Sequence, residues 1–202
     1  IDDLNKKLLI EKRDNAIIDK YRRLDLKDEK EIGFCTSIEH ADYMEKVFND
    51  NGIKSKSIHS KSESNLSKYN IKEKENLLSR FRKGDFQVAF TVNMFNEGVD
   101  IPDISTILML RPTDSLTIFI QQIGRGLRLS DGKEHLIVLD FIGNYRNANI
   151  ITEGLGLNVS DLTHSKEKDI YYYDNNGKKV EFDSKVVDIF KAIISKKSKE
   201  ID

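Results

Sequence analysis

Residues 115–128 read Ser-Leu-Thr-Ile-Phe-Ile-Gln-Gln-Ile-Gly-Arg-Gly-Leu-Arg, and their side chains sort by chemistry onto two faces. On a helix turning about 100° per residue, Gln121, Arg125 and Arg128 fall within about 60° of one another. Leu116, Phe119, Ile120, Ile123 and Leu127 gather on the opposite side. One face is suited to a core, and the other presents two guanidinium groups and an amide together. Paired like charges are costly unless something negative meets them, and a planar guanidinium matches phosphate oxygens in a two-point fork. The chemistry this predicts is contact with a phosphate chain. Spacing alone would ordinarily give a solvated face. Gly124 and Gly126 argue for more, because each costs about 1 kcal/mol against Ala in a helix interior. Close approach of a backbone or a ligand would justify them.

Such a helix needs a scaffold, and the rest of the chain has the pattern of one. Residues 3–24 carry Leu4, Leu8, Leu9, Ile17, Ile18, Tyr21 and Leu24 among many charges, which predicts a leading amphipathic helix. Ile32-Gly33-Phe34-Cys35 reads as a strand, and Thr36-Ser37-Ile38-Glu39 as a capping-box pattern that opens a helix. That helix should bury Ile38, Ala41, Met44, Val47 and Phe48 and end at Asn51-Gly52. A second strand is expected over 53–58 and a second helix over 69–83, closed by Gly84. Val88-Ala89-Phe90, 104–110 and 136–139 are nearly continuous apolar runs, as in strands covered on both faces. The alternation predicts an α/β doubly wound, mostly parallel sheet with helices on both faces, spanning residues 28–150. Ligands of such sheets sit beyond the carboxyl ends of the strands, next to which 93–103 and the arginine helix fall. Residues 1–27 then form the leading helix and an interdomain linker. Residues 151–202 form an appendage, a hairpin (Tyr171-Tyr172-Tyr173 and Val180-Glu181-Phe182 around Asn175-Asn176-Gly177) followed by a helix over 184–197. Its tyrosines could stack on bases, though such a strand more often covers a core edge.

Composition excludes several classes. With 33 Lys and Arg against 34 Asp and Glu, the formal net charge of 202 residues is −1, so any nucleic-acid site is a local patch and not a global field. A single cysteine, Cys35, rules out an internal disulfide and fits a reducing, cytoplasmic compartment. Cys35 lies in an apolar run and reads as a core residue. The four histidines show no ligand spacing, so no metal site is expected. No apolar run reaches transmembrane length and no signal-peptide pattern opens the chain. The absence of an initiating Met reads as a piece cut from something larger.

Three motifs then carry a resemblance. Residues 121–128 (Gln-Gln-Ile-Gly-Arg-Gly-Leu-Arg) are similar to motif VI of superfamily 2 helicases. Residues 91–102 (Thr-Val-Asn-Met-Phe-Asn-Glu-Gly-Val-Asp-Ile-Pro) resemble motif V and the stretch just after it, and Phe34-Cys35-Thr36-Ser37 resembles motif IV. Over about 28–145 the chain therefore resembles the second RecA-like domain of that superfamily. The arrangement of residues 96–102, Leu110-Arg111-Pro112-Thr113 and Asp140-Phe141-Ile142-Gly143-Asn144-Tyr145 is closest to the DEAD/DEAH-box-like group of restriction-enzyme type, which favours DNA. One departure is Gln122, where the family often has Arg.

The resemblance implies an ATP-dependent helicase or translocase. Arg125 and Arg128 would act as arginine fingers on ATP held by an N-terminal RecA-like domain of the same polypeptide, with Mg held mainly by that domain. Gln121 would orient the fingers or the attacking water. Gly98 would give a tight turn beside the nucleotide, Asp100 would meet the ribose or hold a finger, and Glu97 would assist. Thr36, Ser37, Thr91 and Asn93 would offer small polar groups and backbone amides to nucleic-acid phosphates. His59-Ser60 with Lys61 is a weaker candidate for the same task. Thr and Ser at such places are also ordinary helix caps.

No Gly-x-x-x-x-Gly-Lys-[Ser/Thr] loop occurs, so the chain carries no phosphate cradle and alone should not turn over ATP. Asp28-Glu29-Lys30-Glu31 has the look of an Asp-Glu box but precedes the first strand, and reads as solvated linker. The competing expectation is a catalytically inert interaction or docking module on the same fold.

Overall fold

The computed structural model describes the backbone of residues 2–24, 26, 30–59, 71–92, 104–112, 122–124, 135–141, 170–173 and 179–182. Side chains are described for 13–24, 26, 30–59, 72–92, 104–112, 122–124 and 135–141. Helix α1 (Asp2–Arg23) leads into strand β1 (Lys30–Phe34), then α2 (Ile38–Asp50), β2 (Ser55–Ser57), α3 (Ile71–Arg82), β3 (Val88–Thr91), β4 (Ile104–Met109) and β5 (Ile137–Asp140). The five strands form one parallel sheet in the order β2-β3-β1-β4-β5. Parallel strands need crossovers, and α2 and α3 supply the two that carry the chain from β1 out to β2 and back to β3.

Register explains how the faces fill. Phe34 pairs with Thr91 on one side and Met109 on the other. Cys35, Val88, Phe90, Val92, Leu108 and Leu110 therefore share one face and join a core with Ile17, Ile18 and Tyr21 of α1 and Ala41, Met44 and Phe48 of α2. An edge-to-face ladder ties three elements together there. Tyr21 meets Phe48 at 5.2 Å and Phe48 meets Phe90 at 4.9 Å between ring centroids, each worth about 1 kcal/mol beyond burial. The alternate set, Ile32, Phe34, Ala89, Ile107 and Met109, is equally buried, so both faces are covered. α3 turns Leu77, Leu78 and Phe81 inward, and Phe81 stacks on Phe86 at 5.3 Å.

Two details differ from the sequence reading. Lys30 and Glu31 are not linker: both belong to β1, and Glu31 is fully buried with its Oε1 accepting from the Tyr21 hydroxyl at 2.6 Å. A hydrogen-bonded carboxylate can be buried where an unpaired one cannot, and Tyr21 arrives from a helix ten residues upstream. The second strand also shrinks from 53–58 to three residues. Its neighbours Ile53 and Ile58 are still buried, while Ser55 and Ser57 face α2, donating to the Glu45 carbonyl and to Asp42 Oδ1.

Contacts divide the chain into two compact units. The first holds Ile1–Arg111 with Ile123–Ile142 and so includes both α1 and the sheet; the second holds Pro112–Gln122 with Gly143–Asp202. Within the second, β6 (Ile170–Tyr173) and β7 (Lys179–Phe182) pair antiparallel, Tyr173 opposite Lys179. The helix expected over 184–197 lies outside the described residues.

Candidate functional site at the carboxyl edge of the sheet

The sheet ends level on its carboxyl side. The Ile58 amide donates to Phe90 O at 2.8 Å, Cys35 to Thr91 O at 2.7 Å, Leu110 to Phe34 O at 3.1 Å and Phe141 to Met109 O at 3.1 Å, so the ladder runs one residue past β2, β1, β4 and β5. His59, Thr36, Val92 and Arg111 come directly after. In the strand order, the strand next in sequence after β1 lies toward one edge of the sheet and the strand next after β4 lies toward the other. Divergence of this kind opens the crevice in which doubly wound sheets bind their ligands, and Thr36 and Arg111 flank it.

Ser37 is the N-cap of α2. Its backbone is extended (φ −149°) and its hydroxyl accepts from the His40 amide at 3.2 Å. The cap is thus one residue later than the Thr36-x-x-Glu39 pattern implies. The physical reason is the His40 ring, whose Nδ1 takes both the Thr36 amide at 3.3 Å and the Thr36 hydroxyl at 3.0 Å. Thr36 is exposed, and a phosphate drawing on its amide would compete with that ring. Burial lowers the His40 pKa, the Arg13 charge lowers it further, and Asp14 opposes both. A neutral ring with Nδ1 accepting carries its proton on Nε2, which is buried without an acceptor among the described residues.

Thr91, by contrast, is fully buried at the end of β3, on the face opposite Cys35. Its hydroxyl has no partner among the described residues, and a buried hydroxyl does not offer itself to a strand of nucleic acid at the surface. His59 is likewise fully buried, with Nε2 at 3.6 Å from Asp42 Oδ1, the carboxylate that also receives the Ser57 hydroxyl. It braces β2 against α2. Asn93, Glu97, Gly98, Asp100, Gln121, Arg125 and Arg128 lie outside the described residues, as do Ser60 and Lys61. Next to them, residues 122–124 are helical, with Gln122 and Ile123 buried. A Cβ at Gly124 would meet nothing within 4 Å among the described residues, so none of them demands glycine there.

Arg111 received no role from its sequence context. Its guanidinium is half-buried just past β4 and donates from Nη1 to the Val92 carbonyl at 3.2 Å, crossing the end of β1. Burial lowers the Arg111 pKa, yet an arginine stays charged throughout the working range. The same neighbourhood holds Cys35, whose thiol burial pushes up to about 12 despite the nearby Arg111 and Arg13 charges. That thiol is a core atom with no nucleophilic chemistry at neutral pH. Among the described residues no group of three His, Cys, Asp or Glu could hold a metal ion, and no helix is long and apolar enough to cross a membrane.

Comparison with known proteins agrees with this architecture. Residues 13–130 match the helicase conserved C-terminal domain family. The chain is similar to IRC3 of Saccharomyces cerevisiae, described as an ATP-dependent helicase, at 38% identity over 104 residues, which cover 52% of this chain and 14% of that protein. It is similar to the DNA 3′-5′ translocase XPB2 of Sulfurisphaera tokodaii at 36% identity over 66 residues, covering 33% of this chain and 15% of that one. Among solved structures it resembles the C-terminal domain of the DEAD-box protein Dbp5, with a TM-score of 0.55 at 19% identity over 70% of this chain and 76% of that one. The last is a likeness of fold. The matched region is about one seventh of each of these two curated relatives.

Proposed function

The chain belongs to the helicase conserved C-terminal domain family, and from that premise we propose that it is the second motor domain of an ATP-dependent DNA helicase or translocase. In the intact protein Arg125 and Arg128 reach ATP held by an N-terminal RecA-like domain, and Gln121 orients them. Glu97, Gly98 and Asp100 line the nucleotide side. ATP supplies the transferable phosphoryl group and Mg its charge neutralisation, the metal being held mainly by the other domain. Thr36, Ser37 and Asn93 form half of the nucleic-acid track, with Thr91 supporting the strand end just ahead of Asn93.

One observation carries the reading. The family match encloses residues 121–128, whose sequence spacing predicts two arginines on one helical face, a pattern that calls for phosphate. The geometry is compatible with it. The carboxyl ends of β1, β3 and β4 form one level edge, and the segments bearing these residues come after β3 and β4. Choosing DNA rests on the restriction-type arrangement of residues 96–113 and 140–145, and a cytoplasmic location on the single reduced cysteine.

The test is steady-state ATP hydrolysis by this chain and by the longer protein with its upstream domain, each with single- or double-stranded DNA or RNA. Hydrolysis by the longer protein only, stimulated by DNA, is expected. Hydrolysis by the 202-residue chain alone would mean a complete nucleotide site within it. No hydrolysis by either would favour an interaction module.

A further inference from the structure

Thr36 has two donors, and His40 Nδ1 takes both. The Thr36 amide reaches the ring nitrogen at 3.3 Å, and the hydroxyl lies 3.0 Å from the same atom. An amide N–H can only donate, so Nδ1 accepts and the neutral ring carries its proton on Nε2. Nε2 is buried without an acceptor among the described residues. In this state Thr36 is exposed but has neither donor to give to a phosphate. A proton added at Nδ1 reverses the arrangement. The ring then donates to the Thr36 oxygen, the amide and hydroxyl hydrogens are released, and a cation stands behind them.

The surroundings set when that proton is held. Burial disfavours the charged ring and Arg13 of α1 opposes it further, while Asp14 favours it. Asp14 is buried and shared, accepting from Nε and Nη2 of Arg13 at 3.2 and 3.0 Å and from the Tyr43 hydroxyl of α2. On α2 the exposed Glu39 carboxylate accepts from its own amide and from Ser37, which holds its pKa below the ordinary value. Glu39 therefore stays charged throughout the range in which a histidine titrates. Without a ligand the balance stands against the imidazolium, and a phosphate beside Thr36 brings the negative charge that tips it.

Resting on the proposed place of Thr36 in the nucleic-acid track, we propose that His40 is a positioning residue of that track, a latch that takes up one proton from solvent when a nucleic-acid phosphate binds at Thr36. Neutral, the ring keeps the two donors closed; charged, it releases them to the phosphate. Binding then tightens as pH falls, because the bound state carries one proton more than the free one. The contact is to phosphate and so carries no base preference.

The experiment uses the full-length protein and single-stranded oligothymidylate, whose bases do not titrate near neutrality. Kd is measured by filter binding from about pH 8 to about pH 6, and proton uptake by calorimetry in buffers of different ionisation enthalpy. The parental Kd should tighten about tenfold over that range, with uptake approaching one proton. His40→Gln offers Thr36 an amide oxygen that accepts but cannot be protonated, and should lose most of the pH dependence and of the proton uptake. His40→Ala leaves both donors free and should bind at the alkaline end at least as well as the parent. A parent without pH dependence, or the same slope and proton uptake in the parent and both variants, would overturn the proposal. So would binding weakened by an equal factor at every pH together with a lower Tm, because that is a ring that only braces α2. If the Ala variant fails to fold, the Gln variant decides by the same readouts. Thr36→Ala separates the latch from the reading beneath it. Parental affinity and slope in Thr36→Ala would remove Thr36 from the track and the latch with it. Weaker binding in Thr36→Ala, beside His40 variants that keep the parental slope, sinks the latch alone.

Discussion

Thr36 and His40 show how much a single ring alters a reading of small polar residues. Thr36 stands at the predicted place, but its amide and hydroxyl are held by His40 Nδ1, and nothing in local spacing says that a residue four positions on will fold back. The ring's lowered pKa has a thermodynamic consequence. In the unfolded chain a histidine protonates near 6.5; in the folded chain protonation is disfavoured by burial and by Arg13. The stabilising contribution is complete above that value and drains as pH falls from it, until the folded ring is protonated too. We expect the melting temperature to decline as pH falls below about 6.5, and His40→Gln to remove part of the decline. An unchanged slope in the variant would show that His40 is not its source. Glu45 contributes at lower pH. Burial raises its pKa, but the bonds from Lys56 and Ser57 outweigh that, so its share persists above 4.5 and is lost below. Arg111 illustrates the converse limit of sequence reading. Its neighbours in sequence carry a family resemblance but no role for the side chain, and its bond to the Val92 carbonyl spans 19 residues.

Elements were largely legible from pattern, for physical reasons that differ between them. β1, β3 and β4 are continuous apolar runs because both of their faces are covered, and α2 shows its core stripe and its terminating Gly52, whose φ of +80° favours glycine. β2 was harder. A strand reading Ser-Lys-Ser is apolar nowhere, and it is held by the Glu45, Asp42 and Asn49 side chains of α2. The extension of β1 back to Lys30 was hidden for the same reason, since the buried Glu31 looks like a surface residue until Tyr21 is placed beside it. Packing between β1 and its neighbours sets a sharper limit on sequence than polarity does. A Cβ at Gly33 would lie 2.4 Å from Cδ1 of Phe90, a ring already locked against Phe48. Gly33→Ala is therefore expected to destabilise the domain by about 1–3 kcal/mol, read by urea unfolding. A loss under about 0.5 kcal/mol would mean that the ring relocates freely.

At the scale of the molecule, α1 is more than a connector. Ile17, Ile18 and Tyr21 sit in the same core as Phe48 and Phe90, and Tyr21 closes the bond to Glu31. Removing residues 1–24 would expose that face and take away the Tyr21 bond to Glu31, together a loss of several kcal/mol. The shortened chain should lack a cooperative melting transition, whereas a transition at the parental temperature would make α1 a dispensable linker. What sequence could not supply at this scale is the assembled cleft, because its other wall would come from another domain. The family match gives the class of domain, and the proposed function gives the paired arginines their part in it. The most direct test of that part is the DNA-stimulated ATP hydrolysis of the full-length protein with Arg125→Ala. We expect a loss on the order of 10³-fold in kcat, with DNA binding retained; hydrolysis at the parental rate would contradict the finger role.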